Sequence, residues 1–234
     1  MGLETVVDLA QGSQSFPNID APSHDASADV ATEGSLYQAL ECGPDGQPGG
    51  ILMTSVGQQV LPNIWLGNYR ALEDQEFLRK NRITHILTLG HFKETYPSSM
   101  YIHKIVRVAD NPEANIIQYF PATNEFIENA VQGHHRLLVH CLAGVSRSPT
   151  VLAAYLMHKH QLRPKEALAI IRKARPFVNP NPGFMEQLRL YREMGFEYNP
   201  QHPAFIEFHK QHPLNADHAG HDEYNAAKIE SARP

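Results

Sequence analysis

His140-Cys141-Leu142-Ala143-Gly144-Val145-Ser146-Arg147-Ser148 gathers a thiol, a turn-forming glycine, a guanidinium and two hydroxyls into nine consecutive residues. The apolar run Leu137-Leu138-Val139 before it predicts a buried strand, and Pro149 to Met157 after it predicts a helix. A cysteine where a strand turns into a helix N-terminus meets unpaired backbone N–H groups and the positive end of the helix dipole. Consecutive N–H groups at such a turn make an anion-binding nest, and the field that holds a phosphate also favours thiolate over thiol. Arg147 adds a planar fork able to hold two phosphate oxygens. Gly144 stands mid-loop, where the backbone reverses without a Cβ in the way. A thiolate beneath a bound phosphate is equipped for phosphoryl transfer to sulfur.

A Cys-x5-Arg spacing by itself is weak, since a buried inert cysteine at the end of a core strand looks the same. Ser148 strengthens it by placing a hydroxyl near the sulfur. Asp110 strengthens it further, lying 31 residues upstream in a loop signalled by Ala109-Asp110-Asn111-Pro112.

With that acid, the His-Cys-x-x-Gly-x-x-Arg-Ser stretch resembles the cysteine-dependent protein tyrosine phosphatases, in particular the small atypical dual-specificity phosphatases. Further segments are similar to that family: Val60-Leu61-Pro62-Asn63-Ile64-Trp65-Leu66-Gly67, Ile83-Thr84-His85-Ile86-Leu87, Ala153-Ala154-Tyr155-Leu156-Met157 and Asn179-Pro180-Asn181-Pro182-Gly183-Phe184. The likeness covers residues 57–197. It implies a shallow pocket accepting phosphotyrosine and phosphoserine/threonine.

The chemistry expected of these groups is concrete. Cys141 is the nucleophile. The loop N–H groups from Leu142, Ala143, Gly144, Val145, Ser146 and Arg147, with the Arg147 guanidinium, bind the phosphate oxygens. Asp110 is the general acid and then the general base, and Ser148 supports the departing thiolate. His140 is expected to bond backbone near Cys141 and set the environment of the thiolate without moving a proton. Asn115 and Asn179 are expected to brace the acid loop and the phosphate loop. Glu113, three residues past Asp110, is the rival acid. No metal and no cofactor are required, because the protein supplies the positive charge.

The loop carries no lysine among Leu142, Ala143, Val145 and Ser146, which favours phosphoprotein substrates over phosphoinositides. Phosphoinositide or RNA 5′-phosphatase chemistry and a non-catalytic phosphopeptide-binding module are the alternatives. No nucleic-acid partner is expected.

The ends differ from this body. The first 50 residues hold eight acidic residues and no Lys or Arg, so the whole-chain charge of −5 hides a body of +3. Rich in Gly, Pro, Ser, Asp and Gln, residues 1–56 are expected to form an acidic disordered arm. Residues 198–234 carry four prolines and five histidines and are expected to be a mostly disordered tail, with a short helix at Ala204–Lys210 at most. The histidine spacings match no structural zinc pattern. Two cysteines, Cys42 and Cys141, do not suggest a secreted disulfide scaffold. No signal core or membrane span is read in the chain. Met1-Gly2 raises acylation, but Val6 stands where that pattern wants Ser or Thr, so no membrane anchor is expected. Residence in the cytoplasm, the nucleus or both is the expectation; the oligomeric state is left open.

Strands are expected at Gln59–Leu61, Ile64–Leu66, His85–Leu89, Ile102–Val106 and Leu137–His140. Helices are expected at Leu72–Lys80, Ile117–Val131, Ser148–His160, Pro164–Lys173 and Gly183–Met194. Their alternation predicts a single α/β domain, three-layer-like, with a central mostly parallel sheet flanked by helices. The nucleophile then falls at a strand's carboxyl end, where open α/β sheets bind ligands.

Overall fold

In the computed structural model the described residues are 55–92 and 100–215, and they fold around a five-stranded sheet. β1 (Gly57–Leu61) and β2 (Ile64–Gly67) form an antiparallel hairpin whose turn places Asn63 at φ +61°. β3 (His85–Leu89), β4 (Ile102–Val106) and β5 (Leu137–His140) join it in the order β1-β2-β5-β3-β4, with every pairing beyond the hairpin parallel. The centre of the sheet is β5, whose four residues are all buried between β2 and β3. A strand buried on both faces has no polar alternation to keep, which is why Leu137-Leu138-Val139 reads as a continuous apolar run.

The two faces have unequal cores. Leu66, Leu87, Leu89, Val106, Leu137 and Val139 pack on the larger side, below α3 (Phe120–Gln132), α4 (Arg147–His160), α5 (Pro164–Arg172) and α6 (Pro182–Glu193). Every residue of α4 from Arg147 to Met157 is buried, because α3, α5 and α6 surround it. The smaller side holds Trp65, Ile86 and Leu138 against Ala71, Leu72 and Leu78 of α1 (Tyr69–Glu73) and α2 (Gln75–Lys80).

Three expectations are corrected. The helix expected at Leu72–Lys80 is two helices meeting at Asp74, whose carboxylate accepts the Phe77 N–H at 2.8 Å and so starts a new helix. The segment expected to be helical from Ile117 begins as a 3-10 turn, Ile117–Tyr119, ahead of Pro121 near the start of α3.

In the tail only the packing is corrected, since the short helix expected at Ala204–Lys210 is present. Residues 203–211 form α7 (Pro203–Gln211) and pack on the domain through Phe205, with Leu214 buried just beyond. Asn215 bridges to Ala114 and donates its N–H to the Glu113 carbonyl at 2.8 Å. Two of its histidines serve the backbone, His202 Nδ1 accepting the Ala204 N–H and His209 Nδ1 the Leu214 N–H, each at 3.1 Å. The expected arm, Cys42 included, lies outside the described residues apart from its last two positions, and residues 216–234 lie outside them too. Among the described residues no helix is long and apolar enough to cross a membrane.

Candidate active site

Cys141 follows β5 directly and is 1% exposed. From there the chain turns through five residues into α4, which begins at Arg147 with no side chain capping its first turn. What shapes the turn is the fate of its carbonyls. Leu142 O accepts the Tyr69 N–H at 3.0 Å and Val145 O the Asn179 N–H at 2.9 Å. Arg175 donates from Nη2 to Ala143 O at 3.2 Å and from Nε to Gly144 O at 3.0 Å. Four successive carbonyls are therefore drawn outward. In a planar trans peptide C=O and N–H point opposite ways, so the N–H groups of Ala143 to Ser146 turn away from these partners, toward the inside of the turn. The Gly144 N–H reaches Cys141 Sγ at 3.2 Å, and the Ser148 hydroxyl donates to it at the same distance.

Gly144 is required on two counts. It sits at φ +69°, and a Cβ there would stand 2.5 Å from Gly67 O and 2.6 Å from Arg175 Nη2. Arg175 itself is 1% exposed, bonded also to Gln58 Oε1 and stacked on the Phe177 ring at 4.4 Å. Burial pulls its pKa down to about 10, against the opposing pull of Cys141, so it remains cationic at neutral pH. Sequence reading missed this residue; one arginine before a proline carries no signal of a tertiary role.

Asp110 reaches the same place from the loop after β4. Its Oδ1 accepts the Ser146 hydroxyl at 2.6 Å and the Asn181 Nδ2 at 2.9 Å, and its Oδ2 lies 3.5 Å from Arg147 Nε. Arg147 also donates from Nη1 to Val108 O at 3.3 Å. Asn181 works in both directions, since its Oδ1 caps α6 through the Phe184 N–H at 2.9 Å while its own N–H donates to Ser146 Oγ at 3.1 Å. A Cβ on Gly183 would fall 2.0 Å from Pro112 O, so the start of α6 presses directly on the acid loop.

These contacts sort the expected residues. Gly144 and Ser148 meet the Cys141 sulfur, Ser146 and Arg147 of the same turn meet Asp110, and Leu142 to Val145 form the backbone between. Asn179 supports the loop, though through its backbone N–H and not its side chain. The brace on Asp110 is Asn181, two residues on, which was legible only as an Asn-Pro helix start. Asn115 does not reach the acid: its carbonyl accepts Gln118 Nε2 at 2.9 Å, and its side chain meets Tyr198. Glu113 is exposed and tied through its backbone to Asn215. His140 is fully buried, and burial, with His103 and Arg147 nearby, pushes its pKa down to about 3. Its Nε2 meets Thr88 Oγ1 at 2.7 Å. The Cys141 backbone acts on the ring in the sense that favours its protonated form, as the expected bond to backbone near Cys141 would, although no hydrogen bond to Nδ1 is completed among the described residues. A neutral imidazole here moves no proton near neutral pH.

Comparison with known proteins agrees with this geometry. The family model described as dual specificity phosphatase, catalytic domain, matches residues 64–194. Mouse dual specificity protein phosphatase 19 is 42% identical over 140 residues, 60% of this chain and 63% of that protein. The match thus spans under two thirds of that relative's own length. Zebrafish dual specificity protein phosphatase 22-B is 38% identical over 157 residues, 67% of this chain and 84% of that protein. Among solved structures, human tyrosine phosphatase-like serine/threonine/tyrosine-interacting protein superposes with a TM-score of 0.57 at 33% identity, covering 60% of this chain and 98% of that one. With more than half its length matched by that family model, the chain belongs to the dual-specificity phosphatase family of the cysteine-dependent protein tyrosine phosphatase superfamily.

Proposed function

We propose that the protein hydrolyses phosphotyrosine and phosphoserine/threonine esters of phosphoproteins through a phosphocysteine intermediate. The observation that carries this reading is the convergence on Cys141 Sγ of the Gly144 N–H and the Ser148 hydroxyl, with Arg147 and Asp110 paired beside it.

The Cys141 thiolate attacks phosphorus in line with the leaving oxygen, forming the S–P bond as the ester P–O bond breaks. The inward N–H groups and the Arg147 guanidinium stabilise the charge spread over the three remaining oxygens. Asp110 gives its proton to the departing oxygen. As a carboxylate it then takes a proton from water while that water's oxygen bonds phosphorus and the S–P bond breaks. Sulfur leaves as thiolate, accepting the Ser148 hydroxyl, and inorganic phosphate is released. The loop walls are apolar and lack a lysine for a second phosphate, which supports phosphoprotein over polyanionic substrates. The same reading places the protein inside the cell, in cytoplasm, nucleus or both, because this thiol works only while reduced.

The test is initial rates of the purified protein on phosphotyrosine peptide, phosphothreonine peptide and a phosphoinositide, side by side. Turnover of both peptides above the lipid is expected; lipid as the best substrate, or no turnover of any, overturns the proposal.

A further inference from the structure

On the sheet face that carries Leu138 and Ile86, the next residues along β5 and β3 are His140 and Thr88, which are direct register partners. One strand further out, His103 on edge strand β4 lies on the same face. Thr88 Oγ1 is 2.7 Å from His140 Nε2 and 2.6 Å from His103 Nε2. A polar row thus crosses three parallel strands inside an apolar layer, running from the residue beside the nucleophile to the edge of the sheet.

Counting protons constrains it. Thr88 has one hydroxyl hydrogen and sits between two ring nitrogens, so it donates to one imidazole and accepts N–H from the other. Both rings are neutral near pH 7, since burial pushes His103 down to about 4 and His140 to about 3. The groups acting on His140 are His103, the Cys141 backbone and Arg147, with the Phe92 ring 5.8 Å away. With Nε2 turned to Thr88, Nδ1 is left toward the Cys141 backbone, which favours the protonated ring, as an acceptor facing an N–H does. That selects one direction: His103 Nε2–H to Thr88 Oγ1, Thr88 O–H to His140 Nε2, and the His140 proton on Nδ1.

We propose that Thr88 and His103 are positioning residues, a relay that fixes the His140 proton on Nδ1 and so presents the positive end of an N–H dipole beside the nucleophile. The partner of a histidine's second nitrogen sets which nitrogen carries the proton, and an N–H dipole held against the Cys141 backbone adds positive potential next to the thiol, which favours the thiolate. The inference rests on Cys141 being the nucleophile. It does not depend on the substrate, so its test needs no phosphate ester.

Long-range ring spectra of ¹⁵N-histidine-labelled full-length protein report the tautomer, and iodoacetate alkylation of Cys141 from pH 5 to 9 reports the thiolate. The wild type is expected to show His140 protonated on Nδ1. Thr88→Val should move that proton to Nε2 and slow alkylation at pH 6 by about threefold to tenfold with no change at pH 9. Thr88→Ser should restore both readouts. His103→Leu should populate the Nε2–H form, and His103→Gln, which keeps an N–H donor, should suppress it. Should Thr88→Val fail to fold, the His103 pair decides. A wild-type His140 protonated on Nε2, or a tautomer and alkylation profile unmoved by His103→Leu, overturns the relay.

Discussion

Two loops meet at the sulfur, and they are held in different ways. The phosphate loop, Cys141 to Ser146, is a contiguous turn whose carbonyls are pinned outward and whose first residue ends a central strand. The acid loop after β4 starts from an edge strand, and Asp110 is fixed by residues 36 and 71 positions away. Its far end is held by Asn215 through Glu113 and Ala114. Groups of the first kind act at every step of the proposed reaction. Groups of the second kind act only on proton transfer, so damage to each loop should be distinguishable.

The hardest strike on the phosphate loop is Cys141→Ser. A serine hydroxyl of nearly the same size is not ionised near neutral pH, so turnover of an aryl phosphate should vanish while the fold remains. Activity within tenfold of wild type would end the phosphocysteine reading.

Next comes Asp110→Ala, expected to lower kcat about 10²–10⁴-fold on phosphotyrosine. Nitrophenyl phosphate, whose leaving group departs with less help, should lose less, and the basic limb of the pH–rate profile should disappear. Glu113→Ala should do none of this. If it does and Asp110→Ala does not, the acid is misassigned while the phosphate loop stands.

Arg175→Met removes the charged donor behind the phosphate loop and should cost about 3 kcal/mol in denaturant unfolding. An unchanged unfolding midpoint would mean the loop holds its shape unaided.

Acid separates stability from chemistry. His85 is pushed down to about 4 by burial and by His135, and His140 to about 3. Because an unfolded chain takes up these protons first, near the usual 6.5, the stability from each neutral ring is complete above that pH. It is lost as pH falls toward 4 for His85 and toward 3 for His140. Each ring contributes a slope of up to about 1.4 kcal/mol per pH unit. Denaturant titrations at pH 7, 6 and 5 should show the fall; a flat series refutes it.

The smallest effect belongs to Asn181→Ala. Loss of the α6 cap should cost about 1 kcal/mol. Release of Asp110 should lower kcat on phosphotyrosine by about tenfold, a loss of about 1.4 kcal/mol in the barrier, and by less on nitrophenyl phosphate. Equal losses on the two substrates would place Asn181 in support of the phosphate loop instead.

The sequence alone carried the element order, the parallel sheet and the nucleophile loop. These rest on short-range patterns: an apolar run for β5, a helical repeat at Phe126, Ile127 and Ala130, and a motif of nine adjacent residues. Asp110 was singled out by its loop signal, Ala109-Asp110-Asn111-Pro112, 31 residues before Cys141. The split at Asp74 was hidden because Ala71 and Leu78, seven residues apart, lie on one apparent helical face. The tail's packing was hidden for a related reason: prolines and histidines outweigh the single buried phenylalanine of α7 in any reading of composition.

Only the tertiary structure decided what surrounds the loops. Arg175 reaches Gly144 from 31 residues away, Asn181 reaches Asp110 across 71, and Thr88 meets His140 across 52. None of these three pairs leaves a spacing or period in the chain, since each depends on which strands and helices become neighbours. Local chemistry is written along the chain, whereas the polar partners that hold it are chosen by packing, where a buried donor or acceptor must find whatever the fold brings within 3 Å.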